Sequence, residues 1–146
     1  MESDECGGLP AFHAAYPEAT VLCGELAARE LYGFGYQGPV EVKHCGQILE
    51  NGQLKLRFID YPSEVHLQNG LLCLDETSGI LYSADLMLTY GDGAGIKKTD
   101  WPAAVAAIDA ERVAAPALRT ALQDVLRTLK PLFVAVGHGT CLLIEP

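Results

Sequence analysis

Three polar side chains stand where an apolar core gives no reason for them: His66 in IDYPSEVHLQNGLL, Asp85 in GILYSADLM and His138 in VAVGHGT. His66 falls in a loop between strand-like runs, Asp85 at the end of one, and His138 at the end of another, set between Gly137 and Gly139. A carboxylate in that position must be hydrated, hydrogen-bonded or charge-paired, because an unpaired buried anion is too costly to keep. A cation would settle it. Two imidazoles and one carboxylate form a ligand set that borderline metals such as iron and zinc accept. Singly, each residue has an ordinary reading: a loop histidine is more often exposed or hydrogen-bonded, and an aspartate after a strand is often a turn former. Metal chemistry requires the three strand ends to converge.

The elements that must position them follow from pattern and punctuation. GGLPAFHAAYPEA, with Pro10 early and Pro17 at its end, reads as a short helix feeding a strand at TVLCG; GELAARELYGFGY reads as a second helix. PVEVKHC, QILENGQ and LKLRFIDYP have strand character, with an Asn51-Gly52 turn between the last two. LLCLDE and GILYSADL are two more strands joined through TSG. TYGDGAGIKK is glycine-rich without a phosphate-binding pattern and reads as a flexible connection. Asp100 then caps a helix beginning WPAAVAAIDAERV. In PALRTALQDVLRTLK, residues Leu118, Leu122, Val125, Leu126 and Leu129 form one apolar stripe that packs on the sheet. Pro131 ends that helix, and LFVAV delivers the Gly137-His138-Gly139 turn. Helices layered on a sheet make the class α/β.

Size and charge exclude some functions. At 146 residues the chain is long enough for one domain with a real core. Ten Lys and Arg against nineteen Asp and Glu give a net charge of −9, which disfavours nucleic acid and an anionic membrane surface. No apolar run reaches the roughly 18 residues of a spanning helix, and MESDECGG has no secretory pattern, so the expected location is the cytoplasm. The five cysteines (Cys6, Cys23, Cys45, Cys73, Cys141) include no C-x-x-C pair, against a disulfide framework or zinc ribbon. Cys23, Cys73 and Cys141 read as buried small hydrophobes.

HLQNGLLCLDETSGILYSADL joins His66 to Asp85, and His138 arrives in GHG after two helices. This order resembles the C-terminal part of the metallo-β-lactamase-like fold, and more narrowly the flavodiiron and oxygen-binding di-iron proteins. In that family a His, a strand hairpin, an ILFS-x-D-type strand end and a late S/G-H-G supply ligands. Upstream, DECGGLPAFHAAYPEATVLCGELAAREL is similar to the family's segment after its first metal motif, and VEVKHCGQILENGQLKLRFI resembles the hairpin that follows. The likeness spans nearly the whole chain. The family motif H-x-E-x-D-H falls on the first residues: Glu2 and Asp4 match its Glu and Asp, Glu5 holds its final His position, and its first His would precede Met1. The ordinary reading of MESDE is a frayed acidic terminus.

The resemblance implies an α/β fold, a metallo-β-lactamase-like αββα sandwich over residues 1–146 as a single, partial domain whose N-terminal strands are missing. A sheet edge or face would then be exposed unless a partner or a second copy in a homo-oligomer covers it. It also implies two iron ions, bridged by Asp85, with His66 on one and His138 on the other, and Glu2, Asp4 and Glu5 completing the metal ligands. His13 and His44 match no ligand position and read as structural. With no flavodoxin-like domain, FMN is not expected on this chain, and reduction would draw on an external electron donor. The expected function is a non-haem di-iron protein that binds dioxygen or a similar small ligand, sensing or reducing it. The alternatives are a metal-dependent hydrolase of the same fold, with zinc, and a metal-free scaffold. Hydrolases of this fold usually carry H-x-H-x-D-H, and the carboxylate-rich set here favours iron.

Overall fold

The computed structural model describes residues 6–62, 70–90 and 95–145. In chain order the elements are α1 (Leu9–Ala15), β1 (Val21–Cys23), α2 (Glu25–Gly33), β2 (Val40–Val42), β3 (Ile48–Asn51), β4 (Leu54–Tyr61), β5 (Gly70–Asp75) and β6 (Ile80–Tyr82). A 3-10 helix (Ala84–Met87), β7 (Ile96–Asp100), α3 (Trp101–Ala106), α4 (Pro116–Arg127), β8 (Phe133–Ala135) and β9 (Cys141–Glu145) complete it. Seven strands form one mixed sheet in the order β3-β4-β5-β6-β8-β9-β7, while β1 and β2 pair in parallel as a second, two-stranded sheet. The helix and hairpin expectations hold except at two points: the helix begun at Trp101 stops at Ala106 instead of running on through IDAERV, and the hairpin turn is shifted. Asn51 pairs with Leu54, so the loop residues are Gly52 and Gln53; this register sets Leu49 against Leu56 and Glu50 against Lys55.

One face of the large sheet makes the core. Ile59, Tyr61, Leu72, Leu74, Leu81 and Val134 point to that face and pack with Trp101, Val105, Leu122 and Leu126 of α3 and α4. Asp100 accepts the Ala103 N–H at 2.8 Å, the predicted cap, and the buried Trp101 indole donates to the Leu126 carbonyl at 2.9 Å, tying the two helices together. The α4 stripe is narrower than its sequence suggests: Leu122, Leu126 and Leu129 are buried, whereas Leu118 and Val125 are exposed, on the margin of the sheet contact. The opposite face keeps Tyr82, Leu143 and Ile96 exposed. At its other end Phe58 is buried, with the Lys43 ammonium beyond β2 lying 5.8 Å from its ring centroid.

One strand escaped the sequence. Ile96–Asp100 of the supposed connection forms β7, pairing in parallel with β9, while residues 91–94 lie outside the described residues. IKKTD has no apolar alternation because β7 is an edge strand, where lysines discourage further pairing. The cysteines are half-buried rather than fully buried, except the exposed Cys45. Burial, with Asp75 nearby, pushes the Cys73 thiol up to about 11, which keeps it protonated and inert.

The β5–β6 turn carries an acid-sensitive contact. Asp75 accepts the Ser78 hydroxyl at 2.6 Å and the Thr77 N–H at 2.9 Å, and these bonds, Ser78 first, hold its carboxyl below the usual carboxylate range. A lowered folded pKa adds stability above the unfolded value, near pH 4, and that stability is lost as pH falls through the folded value. Asp75→Asn should therefore shrink the loss of stability between about pH 5 and pH 2, read as urea midpoints. An unchanged acid dependence would contradict this.

Candidate metal centre

β6 and β8 are parallel neighbours, with Tyr82 level with Ala135, so both chains leave the sheet at the same end. The pairing continues beyond the strands: the Ser83 N–H donates to the Ala135 carbonyl at 2.9 Å, and the Gly137 N–H to the Ala84 carbonyl at 2.8 Å. Between these bonds the backbone turns sharply. Ala84 sits at φ +44, in the left-handed region that a side chain disfavours. Such strain persists only where the surroundings fix it and is concentrated at functional sites. It starts the 3-10 helix and turns Asp85 inward, leaving that residue 4% exposed.

The β8 turn explains the two glycines of GHG. A Cβ on Gly137 would stand 2.4 Å from Asp85 Oδ1 and 3.2 Å from the Ala84 backbone, so glycine there lets the turn close on the carboxylate. Gly139 is at φ +86, and a Cβ on it would meet the Thr89 carbonyl oxygen and Oγ1, each at 2.3 Å. Two further bonds clip the turn to the chain beyond Asp85: the Thr89 N–H donates to the His138 carbonyl at 3.2 Å, and the Thr140 N–H to Thr89 Oγ1 at 3.0 Å. The result sets His138 Nε2 3.8 Å from Asp85 Oδ1, with half of the imidazole exposed.

That separation is too long for a hydrogen bond. It is of the size expected for two donors on one ion, since ligand bonds of about 2.1 Å put neighbouring donors roughly 3 to 4 Å apart. A nearly buried carboxylate facing a half-exposed imidazole, in a cradle that one Cβ would fill, therefore fits a metal ion. Of the six predicted ligands, Asp85 and His138 are brought together, whereas Glu2, Asp4, Glu5 and His66 lie outside the described residues. Among the described residues no group of three or more His, Cys, Asp or Glu gathers in a way that would hold a metal. The described residues on either side of 63–69 are nonetheless at this end of the sheet: Tyr61 pairs with Gly70, and β5 runs antiparallel to β6, so β5 starts at the end where β6 stops.

His13 lies on α1 with its ring 5.6 Å from that of Tyr36, and His44 is exposed, its backbone N–H donating to the Gln47 side-chain oxygen. Sequence reasoning missed Ala84 and Thr89. Nothing in SAD marks a left-handed alanine, and Thr89 gains meaning only from the turn it meets across the fold. Among the described residues, no helix is long and apolar enough to cross a membrane.

No family model matches the chain. A curated coenzyme F(420)H(2) oxidase of Methanocaldococcus jannaschii is 30% identical over 88 residues, 58% of this chain and 21% of the relative. The metal-soaked flavodiiron core of Flv1 from Synechocystis superposes with a TM-score of 0.74 at 21% identity, over 98% of this chain and 38% of that one. The chemotaxis sensor ODP, solved as a peroxy diiron species, gives 0.73 at 19% identity, over 99% of this chain and 62% of the sensor. Rubredoxin oxygen:oxidoreductase from Desulfovibrio gigas gives 0.69 at 19%, over 94% of this chain and 37% of the enzyme. The chain spans less than two thirds of each of these proteins, from 21% of the oxidase to 62% of the sensor, and by its architecture it has the metallo-β-lactamase-like fold of the flavodiiron core.

Proposed function

We propose that this chain holds a non-haem di-iron centre that binds dioxygen, either sensing it or reducing it with electrons from an external donor. The observation that carries the reading is the approach of Asp85 Oδ1 and His138 Nε2 to 3.8 Å at the ends of two parallel strands. Iron, when bound, supplies open coordination positions for a diatomic ligand. Asp85 has two carboxylate oxygens and is nearly buried, and it would be the ligand held in common by the two ions, its negative charge offsetting their repulsion. His138, half exposed, would hold one ion through Nε2. His66, Glu2, Asp4 and Glu5 complete the set within one domain spanning residues 1–146. The similarity to an oxidase, an oxygen:oxidoreductase and a chemotaxis sensor solved as a peroxy diiron species supports dioxygen as the ligand.

Metal analysis of protein purified without added zinc tests this. The expected result is about two irons per chain, with a visible absorption band that changes on exposure to air. Zinc with hydrolytic turnover would instead point to a hydrolase, and a metal-free protein that takes up no ferrous iron would leave a scaffold.

A further inference from the structure

We propose that Thr89 is a positioning residue for His138, holding the imidazole toward Asp85 through the turn that carries it. The proposal rests on the reading of Asp85 and His138 as metal donors. His138 is half exposed, and the turn of residues 137–140 carries it at the end of β8. Thr89 grips that backbone on both sides of Gly139. Its N–H donates to the His138 carbonyl at 3.2 Å and its Oγ1 accepts the Thr140 N–H at 3.0 Å. The missing Cβ of Gly139 is what admits this approach, since both Thr89 oxygens would stand 2.3 Å from it.

The segment that presents Thr89 is itself braced. Arg112 donates to the Leu88 carbonyl at 3.1 Å, and its guanidinium lies 5.2 Å from the centre of the Tyr90 ring. Tyr61 in turn donates its hydroxyl to the Arg112 carbonyl at 3.1 Å, which links the brace to the core strand β4. Thr89 thus transmits the position of the sheet to the His138 turn. Outer partners of metal ligands act in this way, and their loss commonly costs 10 to 100-fold in metal affinity.

Thr89→Val keeps the shape and removes the acceptor, whereas Thr89→Ser keeps the acceptor; both are exposed changes that leave the core untouched. Three quantities are read: hydrogen exchange at the Thr140 amide, the NMR cross-relaxation between the His138 ring and the Asp85 methylene in metal-free protein, and ferrous iron affinity by chelator competition. In Thr89→Val the amide exchanges faster, the cross-relaxation is lost and the affinity falls by about 10 to 100-fold; Thr89→Ser stays within about twofold of wild type. Retained cross-relaxation and affinity in Thr89→Val would overturn the proposal. If wild type binds no iron while the cross-relaxation is lost in Thr89→Val, the metal reading falls and the positioning role stands. If the cross-relaxation survives, positioning falls whatever the metal does.

Discussion

Asp85→Asn should give a folded protein that no longer gains stability from ferrous iron. Asparagine conserves the shape of the side chain in its cradle beside Gly137 and removes the charge. Metal-free wild type and metal-free variant set the baseline melting temperatures. Iron changes the comparison. A ligand at a thousand times its Kd stabilises the native state by about 4 kcal/mol, which for a chain of this size raises Tm by roughly 10 °C. Wild type should show a shift of that order under anaerobic conditions, and Asp85→Asn little or none. An equal shift in both proteins would remove Asp85 from the centre.

Gly139→Ala should cost about 2 to 4 kcal/mol of stability, through two independent causes. The backbone at φ +86 penalises any side chain, and the new Cβ would overlap the Thr89 carbonyl oxygen and hydroxyl. Neither relaxes without moving the other strand end. Gly137→Ala makes an instructive partner, because there space alone is at issue and the nearest atom met is Asp85 Oδ1, ahead of the Ala84 backbone at 3.2 Å. Its main effect should fall on metal binding rather than on the fold. Urea unfolding measures the first variant and chelator competition the second. A Gly139→Ala protein within about 0.5 kcal/mol of wild type would mean that the turn adjusts freely.

How much of this was legible beforehand depends on whether the signal is local. The α3 cap at Asp100, the buried part of the α4 stripe and the β3–β4 hairpin are written in short windows of sequence, and each formed. β7 was not, because an edge strand needs no apolar alternation and IKKTD acquires its structure from β9. Of the candidate site, two residues can be followed from sequence to structure. His138 between glycines and Asp85 after a strand both draw attention as polar groups in apolar settings, and the fold brings them to 3.8 Å. Why the glycines are there was invisible, since the atoms they make room for belong to Ala84, Asp85 and Thr89, about fifty positions away along the chain. The left-handed Ala84 had no sequence signature at all, because its conformation is imposed by the β6–β8 pairing and the Gly137 bond.

Anomalous scattering at the iron edge, from crystals of protein loaded with ferrous iron, addresses the central claim most directly. The account predicts iron density within bonding distance, about 2.2 Å, of both an Asp85 carboxylate oxygen and His138 Nε2, with Asp85 shared by a second peak. Iron bound elsewhere, or an Asp85 and His138 pair left bare in iron-loaded crystals, would contradict it.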